Sequence, residues 1–110
     1  MTTFEDRERA FEAKYAHDEE FRFLVTARRD KLFAQWAAEQ LHFDSGAKVE
    51  LTAKMLAVRD GAGHDDRLLA EMQQVFREHG GPAELPTMTS ALERCGAEAR
   101  EQLLRNPVRA

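Results

Sequence analysis

The sequence predicts an all-α protein, a small four-helix bundle preceded by a mobile N-terminal helical arm. Three observations predict it. Apolar residues recur at helical spacing in four segments, and Gly- or Pro-containing breaks of bundle length separate them. No stretch alternates as a strand would, and no internal repeat is present. Finally, the formal net charge of -4 lies wholly in the opening twenty residues, which hold seven acids and three bases, whereas the other ninety hold thirteen of each. The division expected is an arm over residues 1–19 and a bundle over 20–110. At 110 residues with 43% hydrophobic and 33% charged residues, the chain suits one domain burying about two thirds of its unfolded surface.

Within the arm, Phe4, Phe11 and Tyr15 fall within about 40° on a helical wheel. A core-facing helix shows a stripe of roughly 100° or more. Arg7, Glu8 and Asp18 flank the rings, and burying a lone charge costs several kcal/mol. So narrow a stripe suits another protein's groove better than this chain's core, although the residues alone leave open that Phe4, Phe11 and Tyr15 fold back onto the bundle as an ordinary N-terminal helix. Thr3 with Asp6 starts a capping-box-like turn, Glu5–Arg9 and Lys14–Asp18 are i, i+4 pairs, and the early acids suit the helix dipole. A helix this short is marginal alone in water, so the arm is expected to be frayed when free and helical when bound.

The bundle begins with "DEEFRFLVTARRDKLFAQWAAEQLHF", 26 residues without Gly or Pro. Phe21, Val25, Leu32, Trp36 and Phe43 form one face, and Leu24, Ala27, Phe33, Ala37, Ala38 and Leu41 widen it enough to meet more than one neighbour. "FDSG" ends this helix. A second helix spans about 47–60, with Val49, Thr52, Ala53 and Leu56 inward and Ser45 available as a cap. In "GAGHDD", Gly61 and Gly63 end it, and Asp65 or Asp66 is placed to cap the next helix. The third helix has the clearest period, Leu68, Leu69, Met72, Val75, Phe76 and His79, and closes at Gly80-Gly81-Pro82, with His79 capping its end. The fourth starts near Thr87 with Ser90 as a capping residue, turns Met88, Leu92, Cys95, Ala99 and Leu103 inward, and is closed by Pro107.

Several functions are excluded or weakened by residue type. Nucleic acid and acidic membranes call for clustered bases, and the chain is net acidic. No apolar run approaches the 18 to 20 residues of a membrane span, and no signal sequence opens the chain, so a soluble cytoplasmic protein is expected. Cys95 is the only cysteine and lies in line with apolar positions, as a buried small hydrophobe would. His17, His42, His64 and His79 form no i, i+4 pair and no HExxH, so no metal site is expected. His-Asp pairs at 17–18 and 64–65 resemble metal phosphohydrolases, but those need a distal Asp, and none follows Asp66. Ser45 and Ser90 lack a nucleophile elbow. Arg28, Arg29 and Lys31 read as a solvated face, and Trp36 reads as core.

The runs "MTTFEDRERAFEAKYAHDEE" and "ARRDKLFAQWAAE" resemble the signature of the zeta-subunit family of ATP synthase inhibitors from α-proteobacteria. The likeness is close over 1–39 and continues in the helix layout and the "AGHDD" turn. It departs from the family pattern at Tyr15 (commonly Phe), Asp30 (commonly Asn), and Phe33-Ala34 (commonly Leu-Gly). The resemblance implies a four-helix bundle whose N-terminal segment inserts as a helix at a catalytic α/β interface of the F-type ATP synthase head, near the central stalk, and blocks ATP hydrolysis. Implied partners are the α, β and γ subunits. Implied contact residues are Phe4, Arg7, Phe11, Lys14, Tyr15 and His17, the rings filling pockets and the bases pairing with acids. Neither catalysis nor a required cofactor is implied, and the free protein would be a monomer. Weak ATP or ADP binding on the bundle is implied for some members, and an adenine-nucleotide sensor is the alternative function, although the sequence has no GxxxxGK[ST] loop.

Overall fold

Local codes in the chain decide where each helix starts and stops, and the computed structural model, which describes residues 19–106, shows those codes at work. Its elements are α1 (Glu19–Gln40), α2 (Ser45–Leu56), α3 (His64–Glu78) and α4 (Leu85–Arg105). Among the described residues there is no strand. Residues 1–18, which hold nearly all of the expected arm, and Pro107 lie outside the described residues.

α1 stops earlier than the expected Phe43. The Phe43 amide donates to the Ala38 carbonyl at 2.9 Å and the His42 amide to Glu39 at 3.2 Å, the paired reverse bonds of a Schellman end. The geometry requires a left-handed residue between them, and His42 takes it at φ 55° where glycine is usual. α3 ends with the same bonds, from Gly81 to Phe76 and from Gly80 to Arg77, but there the left-handed residue is Gly80. His79 caps this end as expected, its Nδ1–H donating to the Val75 carbonyl at 2.9 Å.

Three expected caps are corrected. Asp44, not Ser45, caps α2, accepting from the Ala47 amide at 2.8 Å, an arrangement that contributes about 1 kcal/mol. α3 starts on left-handed Gly63 with no side-chain cap. Asp65 and Asp66 lie inside its first turn, and Asp65 is turned toward α1 by Arg29. α4 starts two residues before Thr87, with Pro86 in its first turn. Proline's fixed φ and missing N–H suit that position, and Ser90 therefore lies within the helix.

α1 packs along both α2 and α4, and α3 leans on α2 and α4. Its deepest residues are Phe33, Ala34, Ala37 and Ala38, not the expected row of Phe21, Val25, Leu32, Trp36 and Phe43. Of that row only Phe21 is buried; the others are half-buried. The three alanines let two helices approach one side of α1 closely, so the centre of its buried face falls between its neighbours. α3 contributes Leu68, Met72, Val75 and Phe76, as its period predicts, and α4 contributes Met88, Ala91 and Leu92. Trp36 is half-buried and packs against the core, stacked between Phe33 (ring centroids 5.7 Å apart) and Phe76 (5.8 Å). Phe21 fastens the start of α1 to α4, with the Arg100 guanidinium 5.9 Å from its ring centre.

The inward face of α2 is also corrected. Leu51 and Met55 are buried, while Val49, Ala53 and Leu56 face solvent and Thr52 is half-buried. The helix carries two apolar stripes, and the one with the two long side chains free of branching at Cβ, Leu51 with Met55, fills the core.

Candidate functional site

All six contact residues expected from the sequence, Phe4, Arg7, Phe11, Lys14, Tyr15 and His17, lie outside the described residues. What the described residues bring together is a polar cluster where α1 meets the turn before α3. Asp30 and His64 are the buried polar residues, 3% and 8% exposed. Both residues of the pair His64-Asp65 are drawn toward α1: His64 Nε2 lies 2.7 Å from Asp30 Oδ2, and its Nδ1 lies 2.9 Å from the Arg59 carbonyl. Arg29 Nε donates to the other oxygen of Asp30 at 2.9 Å, and its two terminal nitrogens donate to Asp65 at 2.7 and 3.2 Å. Arg67 Nη2 donates to the Arg59 carbonyl as well, at 2.9 Å. Three basic side chains (Arg29, His64 and Arg67) and two acids (Asp30 and Asp65) on α1 and α3 thus staple the turn 59–64 to the middle of α1.

Elementary chemistry gives the protonation state of His64. A carbonyl and a carboxylate only accept, so both ring nitrogens must donate, and only imidazolium has two N–H groups. The energetics agree in direction. Burial by itself would lower the histidine's pKa, but the bonds to Arg59 and Asp30, with the charge of Asp30, outweigh burial and the opposing Arg29 and raise it. Asp65 is held below the ordinary carboxylate range by the bond from Arg29, against the smaller effect of burial. Asp60 is the remaining acid at the ring, 3.8 Å from Nδ1 and largely exposed.

The sign of the pH dependence follows from linkage. A histidine with a raised folded pKa adds stability that is complete below its unfolded value of about 6.5 and is lost as pH rises through the folded value. The depressed Asp65 adds stability present above roughly 3.9 and lost as pH falls through its folded value. The unfolding temperature is therefore expected to peak in mildly acidic solution and to fall as pH rises above about 6.5, whereas His64→Gln should flatten that alkaline slope. A wild-type profile level from mild acid into the alkaline range would contradict a charged His64.

Chemically the cluster is nearly closed: its donors and acceptors are spent on one another, except the buried Arg67 Nε, which has no hydrogen-bond partner. Among the described residues no group of three or more His, Cys, Asp or Glu is placed to hold a metal ion. An open groove between α1 and the end of α4 is lined by Arg28, Gln102, Arg105 and Asn106, but Arg28 donates to Gln102 at 3.1 Å and Arg105 lies 3.6 Å from Glu101. The basic run is thus a solvated face only at Lys31. Cys95 is half-buried rather than buried, on a groove it shares with Leu32 and Trp36. Burial raises its pKa against the nearby Arg94 and Arg29, which keeps it a thiol of low reactivity.

Sequence reasoning misses the Asp30–His64 pair because the two residues stand 34 apart. The available signal is Asp30 itself, a carboxylate on the apolar side of α1 between Phe33 and Ala27. Among the described residues no helix is long and apolar enough to cross a membrane.

No curated protein and no solved structure matches the chain. The family model described as ATPase inhibitor subunit zeta matches residues 1–102, which takes in the expected arm, all of α1 to α3 and most of α4. With the all-helical fold and the match over nearly the whole chain, the protein belongs to the zeta-subunit family of ATPase inhibitors.

Proposed function

We propose that the chain stops ATP hydrolysis by F-type ATP synthase by placing residues 1–19, as a helix, at a catalytic α/β interface of the head near the central stalk, where α, β and γ are in reach. The observation that carries this is the extent of the family match, which begins at residue 1 and so includes the aromatic, acidic segment along with the bundle. In this reading Phe4, Phe11 and Tyr15 fill pockets, while Arg7, Lys14 and His17 pair with acids of the head. A helix wedged at an interface that must close raises the free energy of the closed state, and turnover stops without chemistry by the inhibitor. It uses no cofactor and works as a monomer in the cytoplasm, peripheral to the membrane.

The test is ATP hydrolysis by the purified catalytic head, titrated with the full chain and with a chain lacking residues 1–19. Full-length protein is expected to inhibit and the truncated one to lose inhibition while keeping the helical signal and cooperative melting of the bundle. Equal inhibition by both would move the blocking element into the bundle and overturn the reading.

A further inference from the structure

α2 leaves one of its two apolar stripes uncovered. Val49, Ala53 and Leu56 follow at i, i+4 and i+7, with Val49 67% and Leu56 48% exposed. At its C-terminal end the stripe meets Phe23 of α1, 59% exposed, and Phe23 and Leu56 line one hollow with Thr26, Ala27 and two acids, Asp30 and Asp60, so the apolar row is rimmed by charge at that end. Single exposed apolar residues are ordinary, but a continuous row crossing two helices marks an interaction surface.

We propose that the face formed by Phe23, Leu56, Ala53 and Val49 docks on an apolar depression of the ATP synthase head. The proposal rests on the function stated above and deepens it by naming the bundle's part of the contact. Its ground is where the preceding chain ends. α1 begins at Glu19, one helical turn before Phe23. A partner that grips the residues before Glu19 therefore meets the end of the bundle on which Phe23 and Leu56 stand. Eighteen residues span about 27 Å as a helix, so the gripped segment and the face lie within one helix length of each other along the chain.

Charge supports the same division. Residues 21–110 carry thirteen acids and thirteen bases, against a net of -4 in the first twenty. The face acts through apolar burial, which salt does not screen, whereas the acidic segment acts partly through charge, which salt does screen.

The experiment uses the full chain with Phe23→Ala, Val49→Ser and Leu56→Ser combined. All three sites are exposed, so the variant should melt within a few degrees of wild type. Binding is read by co-elution with the purified head at low and high salt, and hydrolysis is titrated in parallel. The variant is expected to need about tenfold more protein or more for half-maximal binding at both salt concentrations, with full inhibition at saturation. Binding equal to wild type overturns the proposal. Tighter binding overturns it in favour of the chain's own residues 1–18 as occupant, and a wild-type dimer that the variant dissolves overturns it in favour of a second copy. If wild type binds through this face without slowing hydrolysis, the docking surface stands and the braking function falls.

Discussion

Replacing Asp30 with alanine is expected to lower the stability of the bundle by about 3 kcal/mol, the loss typical of removing one partner from a buried ion pair. The variant leaves His64 Nε2 and Arg29 Nε without the oxygens they now hold at 2.7 and 2.9 Å. The ring cannot turn to water without opening the turn, because its other nitrogen is tied to Arg59. Most of the loss comes from the stranded charges, so it should shrink where His64 can give up its proton, which Arg29 cannot. Asp30→Asn keeps one acceptor oxygen and loses the charge, and its expected loss is about 1 kcal/mol. Urea unfolding checks both, with the midpoint falling and the slope unchanged if the folded state alone is affected. An Asp30→Ala midpoint indistinguishable from wild type would mean that the cluster is solvated and contributes nothing.

Phe33→Ala is expected to cost about 4 kcal/mol. Phe33 has 0% exposure and is stacked on Trp36 with ring planes 5° apart, and Trp36 in turn stacks on Phe76 of α3. Removing the first ring opens a void beside Ala34 and Ala37, whose methyl groups are too short to fill it, and it strips one face of the indole. Phe33→Leu should cost under about 1.5 kcal/mol, since a branched chain of similar volume can repack there. Tryptophan fluorescence during urea unfolding reports both the stability and the indole's surroundings. Equal losses for the two variants would show that aromatic stacking, not filled volume, sets the cost.

How far the sequence displays this fold depends on whether the signal is local. α3 is legible in its buried face and its end, because Leu68, Met72, Val75 and Phe76 make its apolar stripe and Gly80 marks where it stops, but not in its start, where left-handed Gly63 and not an aspartate precedes the first turn. α2 is legible as a helix but not in its bounds, which are Ser45–Leu56 where about 47–60 is expected, nor in its orientation, since Val49, Ala53 and Leu56 make as regular a stripe as Leu51 and Met55. Choosing between them needs the neighbouring helices. The end of α1 is misplaced because histidine, not glycine, takes the left-handed position. The polar cluster is hidden for another reason: inside "ARRDK" an aspartate reads as one more surface charge, and only the packing of α3 shows it facing His64. Of the candidate site, the residues before Glu19 are legible as a narrow aromatic stripe and by family likeness alone.

The central place of α1 has a mechanical consequence. A load applied at Glu19 enters a helix of 22 residues, about 33 Å long, that is flanked lengthwise by α2 and α4. Drawn along its axis, such a helix can leave only by sliding past both neighbours at once, so its side-chain contacts resist together and do not peel away one turn at a time. Phe21 under Arg100 and Asp30 with His64 act as two pins across that sliding surface. A load that reaches the bundle through Glu19 therefore meets the fold along its strongest direction.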